Sequence, residues 1–581
     1  MATYKVDDQD IQFTIFDYLN IGDLCQLDVF KEHNADMYKM VLSEGLKFTL
    51  NELDPLYVSG DREECHIKDG KVITPKGFKE AYNKLAENGF MGIDMPTTYG
   101  GMGLPVLLNT AMYEYFTGSN TALLLYAGLT RGSSHLIETF GTKELADLFC
   151  GRMYSGQWAG TMCLTEPHAG TAVGDLKTTA KKNDDGTYNI TGNKIFISSG
   201  DHDLTENIVH LVLARVDGDA PGTKGISLFV VPKYWVNADG SLGEANDVNC
   251  VNVEHKMGIK GSATCSLNFG ENGKCRGFLL GDQSKGMRYM FQMMNEARLL
   301  CGMQGLAIAA TAYENAVAYA KERTQGGETA IINFPDVRRN LATCRSLVEG
   351  MRALLYKAGW HIDQAAHNPD PEQKEYHQNR ADLLTPVCKA YCSDMGFRVT
   401  EIALQIFGGY GYCSEYPMEQ YVRDVKIASI YEGTNGVQAL DLLGRKLALK
   451  QGQLFREYYE EISNFVAANE NNDDIKEDVA LLKKAVDTVG QVAMKFAEWG
   501  MGGEKNLPLL GATPFLEMVG HTSLSFLLLE QCLVAKDKKD ESFYMNKLKT
   551  TRFFNRQILS NVQKCAKGIL SEDRSAMEID F

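Results

Sequence analysis

The chain has 581 residues, 44% of them hydrophobic and 23% charged, with a formal net charge of −16. One hydrophobic core cannot organise that length, so about two to four domains are expected, in a globular protein of ordinary composition. The acidic balance excludes nucleic acid or an anionic membrane as the main partner, since both select basic surfaces, but it leaves room for a local basic pocket.

The opening, MATYKVDDQDIQF, carries acidic residues and no long apolar run, unlike a signal or transit peptide. No uninterrupted apolar stretch reaches membrane-spanning length. The 14 cysteines form no CxxC pair and no repeated spacing. Scattered thiols suit a reducing compartment and supply no metal site. Cys388 and Cys392 lie four apart, on one face of a helix, a spacing typical of buried packing. A cytoplasmic, prokaryotic protein is expected. A mature organellar protein without its presequence reads the same way.

Residues 8–150 have helical character, and 1–157 are taken as an N-terminal helical domain. GFKEAYNKLAENGFMGIDMP repeats apolar positions at three and four before Gly and Pro end it. Residues 99–103 form a glycine-rich loop, and TAMYEYFTGSNTALLLYAGLTRGSSHLIETFG reads as buried helices. The pattern changes near 158. GTYNITGNKIFISSG alternates as a strand does, and ENIVHLVLARV and GISLFVVPKYWV are further strand-forming runs, giving a middle β domain over 158–278. Helical periodicity returns over 279–450, predicting a helical bundle, and 451–581 form an additional helical domain. The fold class is α+β, mainly helical, with a barrel-like middle domain and a four-helix C-terminal bundle.

Residues 405–438, QIFGGYGYCSEYPMEQYVRDVKIASIYEGTNGVQ, carry the strongest chemical signal. They hold a glycine-rich turn and a lone carboxylate, Glu432, between Tyr431 and Gly433. A carboxylate beside a large aromatic can be partly dehydrated, which raises its pKa and makes it a usable base. The glycine permits close approach of another molecule to the backbone. Taken alone, the pattern reads as structural, since a Glu at the end of a helix usually only faces solvent.

The segment resembles the C-terminal signature of the acyl-CoA dehydrogenases, flavoenzymes that desaturate acyl-CoA thioesters. A version of the family's middle-domain signature precedes it in the right order: MCLTEPHAGT at 162–171 and KIFISSG at 194–200. The likeness covers roughly 80–445. The appended C-terminal residues resemble the long-form branch, which includes very-long-chain and 3-methylthiopropionyl-CoA dehydrogenases.

The resemblance implies FAD as cofactor and an acyl-CoA as substrate. Glu432 would take the α-proton, and flavin N5 the β-hydride, giving the trans-2-enoyl-CoA. No side chain accepts a hydride, which is why the chemistry needs a cofactor. Electron-transferring flavoprotein would reoxidise the flavin. By the same likeness Met162, Leu164 and Thr165 approach the isoalloxazine, Phe196 packs on it, and Ser198 bonds near its hydride-accepting nitrogen. Gly170 and Thr171 form a small-residue turn along cofactor and CoA. Arg323 and the turn Gln405, Gly408 and Gly409 hold the FAD of a neighbouring subunit, with Thr434 near its pyrophosphate. Thr171, Asn295, Arg298, Tyr431 and Gly433 contact substrate. His168 replaces a usual Gly, Ala172 a common Asp, and Asn295 a usual Asp. A homodimer is expected, its extra helices covering the surface through which short family members form tetramers. An acyl-CoA oxidase using O₂ and a decarboxylating dicarboxyl-CoA dehydrogenase share the base and the fold, and they stand as alternatives.

Overall fold

The computed structural model describes residues 4–581, which separate into two compact units. The first comprises Lys47–Leu104 and Ser119–Leu300, the second Tyr4–Leu46, Pro105–Gly118 and Cys301–Phe581. The division passes through two long helices, α2 (Val106–Phe140) and α4 (Gly286–Glu322).

In the first unit, α1 (Phe78–Glu87) buries Phe78, Ala81, Tyr82 and Leu85, the i, i+3, i+4, i+7 face of an amphipathic helix. The expected buried helices of 106–140 form one element, α2, interrupted at Asn120, whose φ/ψ of −150°/78° is not helical. The Asn120 side chain caps the resumed helix, Oδ1 accepting from Leu123 N at 3.2 Å, while Nδ2 donates to Leu53 O of another segment at 3.2 Å. Helix α3 (Lys143–Tyr154) starts at Thr142, whose hydroxyl accepts from Leu145 N.

The middle of the chain builds an eight-stranded sheet from β1 (Trp158–Cys163), β2 (Thr179–Lys182), β3 (Tyr188–Ser198), β4 (Asn207–Val216), β5 (Ile226–Pro232), β6 (Val248–Val253), β7 (Thr264–Phe269) and β8 (Arg276–Leu279). The order is β6-β7-β3-β8-β5-β4-β1, with β2 pairing both β3 and β4. Strands β4 and β5 are buried on both faces, which explains their near-continuous apolar runs. Their core side chains, with Trp158 on β1, pack on Phe149 and Met153 of α3 and on Met290 and Met293 of α4.

The second unit is helical: α5 (Pro335–His367), α6 (Pro371–Phe407), α7 (Met418–Lys426), α8 (Asn435–Leu440), α9 (Gln453–Asn469), α10 (Lys476–Met501), α11 (Asn506–Lys538), α12 (Glu541–Phe553) and α13 (Asn561–Leu570). The long pair α5 and α6 packs side by side, and α11 packs on both as well as on α10, α12 and α13. Buried charges join distant segments. Arg352 on α5 pairs with Asp10 at 2.6 Å and bonds Glu114 of α2 at 3.0 Å, while Lys547 on α12 pairs with Glu349 at 2.8 Å and with Asp10. The N-terminal segment is thereby bound to the C-terminal helices. Helix α11 is long and apolar enough on average to cross a membrane by length and composition, although polar residues interrupt its apolar run. In this structure 83% of that apolar window is buried.

Candidate active site

In the first unit the two halves of the middle-domain motif meet. Met162 lies near the end of β1, half-buried, and Leu164 and Thr165 follow it. Thr165 O accepts from Ile195 N at 3.0 Å, which ties the turn to β3. Glu166 and Ala169 exchange both backbone bonds at 3.0 Å and close the turn. Gly170 and Thr171 are exposed beyond it, and a Cβ on Gly170 would meet nothing within 4 Å. His168 lies against the carbonyl of Asp175, 3.1 Å from Nε2.

A buried ion pair beneath this turn is invisible in the motif reading. Lys194, fully buried, donates to Glu166 Oε1 at 2.8 Å and to Leu164 O at 3.0 Å. Glu166 also accepts from Lys177 N at 2.7 Å, Thr178 N at 3.1 Å and Thr178 Oγ1 at 2.6 Å. Burial alone would raise the Glu166 carboxyl, but the Lys194 ammonium and these donors outweigh it and hold the pKa down to about 2. Burial lowers the Lys194 ammonium in turn. The strand alternation carried the signal: Lys194 shares the inward phase of Tyr188 and Ile190.

That phase breaks at Phe196. Register with β7 shifts between Lys194↔Leu267 and Ile197↔Cys265, so two β3 residues face Ser266 alone, a β-bulge. Phe196 has φ +56° and the residue is 61% exposed. A left-handed aromatic in a strand is costly and uncommon, and it turns a large apolar ring to the outside. Ser198, paired with Thr264, follows on the same strand.

Farther along the first unit, Asn295 and Arg298 occupy one face of α4, with Arg298 Nη1 3.3 Å from Asn295 Oδ1. Between them Glu296 accepts from Arg131 at 2.9 Å and lies 2.7 Å from His135 Nδ1. Arg131 also pairs with Asp94.

In the second unit a cavity of about 470 Å³ is lined by Tyr319, Arg323, Ile406, Phe407, Gly408, Gly409, Tyr410 and Cys413, among others. Three of the expected cofactor residues are thus together. Gln405 lies one turn back, in the last turn of α6 rather than in a loop, because the helix continues to Phe407. Gly408 then adopts φ +59°, ψ −137°, a conformation reserved to glycine. Added Cβ atoms on Gly408 and Gly409 would meet nothing within 4 Å, so both border open space. The Arg323 guanidinium stands 5.5 Å from the Tyr410 ring centre, and Tyr319 stacks on Phe407 at 4.0 Å. A cation, planar rings and open glycine backbone suit a planar, phosphate-bearing ligand.

Glu432 follows a short turn, Ile427–Ser429, and precedes α8. It is half-buried with φ +58°, and Gly433 continues at φ +82°. Its flanks are pinned by residues the motif reading did not single out. Tyr431 OH donates to the buried Gln304 Oε1. Gln438 Nε2, on α8, donates to Glu432 O and Gly433 O at 3.2 Å each. Asn435 accepts from Lys389 Nζ at 2.7 Å and donates to Ala390 O and Ser393 Oγ on α6. The Thr434 hydroxyl caps α8, accepting from Val437 N at 3.3 Å.

The chain thus sets a middle sheet bearing an outward aromatic ahead of a helical bundle that carries Glu432 on a left-handed turn. Residues 39–157, 161–271 and 284–447 match the N-terminal, middle and C-terminal domains of acyl-CoA dehydrogenases, and 458–580 match the domain described as acetyl-CoA dehydrogenase C-terminal like. The chain is 35% identical to a butyryl-CoA dehydrogenase of Syntrophomonas wolfei, over 99% of this chain and 98% of that one. It is 34% identical to the 3-methylmercaptopropionyl-CoA dehydrogenase of Ruegeria pomeroyi, over 96% of both. A Bacillus anthracis acyl-CoA dehydrogenase complexed with FAD shares the fold at a TM-score of 0.78 and 22% identity, over 94% of this chain and 90% of that one. The chain belongs to the acyl-CoA dehydrogenase family.

Proposed function

We propose that this protein catalyses the FAD-dependent α,β-dehydrogenation of an acyl-CoA thioester, with Glu432 as the α-proton base. The observation that carries the reading is the left-handed pair Glu432–Gly433, pinned on both flanks. Backbone strain of this kind persists only where the surroundings over-determine it, and it concentrates at functional sites. The family relationship supports the reaction class, and the similarity to butyryl- and 3-methylmercaptopropionyl-CoA dehydrogenases supports a short acyl chain.

The residues present fit a flavin. Phe196 offers an exposed ring and Leu164 and Thr165 lie on a turn bonded to the same strand, while the Arg323–Gly409 cavity offers a cation and open backbone for the phosphate-bearing part of a neighbouring subunit's flavin. When bound, the flavin supplies the hydride acceptor that no side chain can provide. The chain's own part is to hold the thioester and to receive the α-proton on a Glu432 carboxylate oxygen. Asn295 and Arg298 provide hydrogen-bond donors and positive charge for the substrate, and Tyr431 and Gly433 border it. We place electron-transferring flavoprotein as the electron acceptor and a homodimer as the assembly, the burial of α11 supporting helices that cover one another within the chain.

A panel of acyl-CoAs assayed with an artificial electron acceptor tests this reading. Butyryl-CoA and its near relatives should turn over and yield the 2-enoyl product. Stoichiometric peroxide in air, or CO₂ release from glutaryl-CoA, would instead select one of the two alternative chemistries.

A further inference from the structure

Gln438 is fully buried and sits in the first turn of α8, where its backbone N–H donates to Thr434 O at 3.0 Å. Its side chain does not continue along the helix. It folds back over the helix start and offers one amide nitrogen to two successive carbonyls, those of Glu432 and Gly433, each at 3.2 Å. Because peptide groups are planar, a carbonyl held on one side sets its own N–H on the other. Gln438 therefore orients the two peptide planes on the C-terminal side of Glu432 and fixes the dihedrals that aim its carboxylate.

The site is built for this. Gly433 has φ +82°, and a Cβ there would lie 2.8 Å from Gln438 Nε2, so the glycine and the amide form a matched pair. The start of α8 is itself anchored. Asn435 is bonded to Lys389, Ala390 and Ser393 of α6, which gives Gln438 a fixed base from which to reach. The two bonds help to offset the cost of the left-handed pair, and removing them favours relaxation toward ordinary backbone.

From this geometry we infer that Gln438 is a positioning residue for proton abstraction: its amide holds the Glu432–Gly433 backbone in the conformation that aims the base. The inference rests on the base assignment proposed above. A misplacement of about 1 Å in a reacting group costs on the order of 10²-fold in rate.

The test uses Gln438→Met, which keeps length and volume but removes the donors, and Gln438→Glu, nearly isosteric, which donates to the carbonyls only while its carboxyl holds a proton. Both are measured as holoenzyme beside Glu432→Gln. The expected result for both Gln438 variants is wild-type flavin content and KM within about threefold. Their kcat should fall roughly 10–100-fold, for Gln438→Glu at pH values where its carboxyl is ionised, and the isotope effect with α-deuterated substrate should grow as proton removal becomes limiting. The Gln438→Glu variant should recover rate relative to wild type as pH falls and its carboxyl gains a proton to donate. If Glu432→Gln is inactive while Gln438→Met keeps wild-type kcat and isotope effect, the positioning role is overturned and the base stands. If Glu432→Gln turns over normally, the base assignment itself has failed. Loss of folding or flavin in both Gln438 variants would reduce Gln438 to a structural part of α8 and would also overturn the inference.

Discussion

Replacing Lys194 with methionine should loosen the turn that carries Leu164 and Thr165. The side chain is fully buried and contributes two bonds, to Glu166 Oε1 at 2.8 Å and to Leu164 O at 3.0 Å. Methionine fills similar volume, so the loss is electrostatic. Breaking a buried ion pair by removing one partner costs about 3–5 kcal/mol, because the other charge stays buried. Three donors from Lys177 and Thr178 remain on Glu166, which places this case at the lower end, about 3 kcal/mol. The carboxyl can also escape by taking up a proton, since burial raises its pKa once the ammonium is gone. For a folded unit of 150–250 residues, about 3 kcal/mol corresponds to a fall of roughly 6–12 °C in melting temperature. Glu166→Leu should cost at least as much, because it also strands the N–H groups of Lys177 and Thr178. Thermal unfolding of the first unit, followed by flavin fluorescence and by amide exchange in β1 and β3, reads both effects. A Lys194→Met protein that melts within 2 °C of wild type, estimated on the same scale, with unchanged exchange would refute the clamp.

Other consequences follow from individual residues. Phe196→Gly should relieve left-handed strain worth about 1 kcal/mol yet alter the flavin absorption band; an unchanged spectrum would remove Phe196 from the cofactor's surroundings. Arg323→Ala should lower flavin retention in gel filtration, and stripping flavin from the wild type should lower both melting temperature and oligomeric mass. A tetramer by light scattering would contradict the reading of the C-terminal helices. Burial lowers the His135 imidazole, but the Glu296 carboxylate outweighs it and leaves the pKa raised. Its stabilising contribution is therefore full below about 6.5 and lost as pH rises through the raised value. The stability gap between wild type and His135→Gln should accordingly be wider at about pH 6 than at about pH 8, and a gap that is flat or reversed would reject the pairing. Glu166 runs the other way: its contribution is present above its ordinary 4.5 and disappears as pH falls toward 2, so acid unfolding should begin in that window and shift in Lys194→Met.

The turn around Glu432 was more legible than its supports. Glu432 lay between an aromatic and a glycine, and the left-handed turn found there is what a glycine partner permits. Phe196 carried no such marker. Its exposure comes from a bulge set by pairing with β7, a partner some seventy residues away in sequence. Lys194 and Glu166 are each ordinary surface residues by type, and only the inward phase of β3 betrays the lysine. Gln438 looked like one more polar helix residue, because its fold back onto two carbonyls depends on a conformation that periodicity does not encode. The N-terminal segment and α12 share Asp10, Arg352 and Lys547, contacts among the longest-range in the chain. Local pattern had no means to register them. The interruption of α2 at Asn120 escaped for a related reason: the side chain caps the resumed helix in place of the backbone and ties it to Leu53 of another segment.

Whether Glu432 removes the α-proton is tested by one anaerobic mixing experiment. Glu432→Gln preserves shape and hydrogen-bonding reach while removing the basic oxygen. The variant should purify with flavin, bind acyl-CoA, and fail to show the loss of absorbance near ~450 nm that substrate causes in the wild type. Its rate should be lower by at least 10²–10⁴-fold, the range typical of losing a general base. Bleaching at a near-wild-type rate would contradict the account, for the proton would then be leaving to some other group.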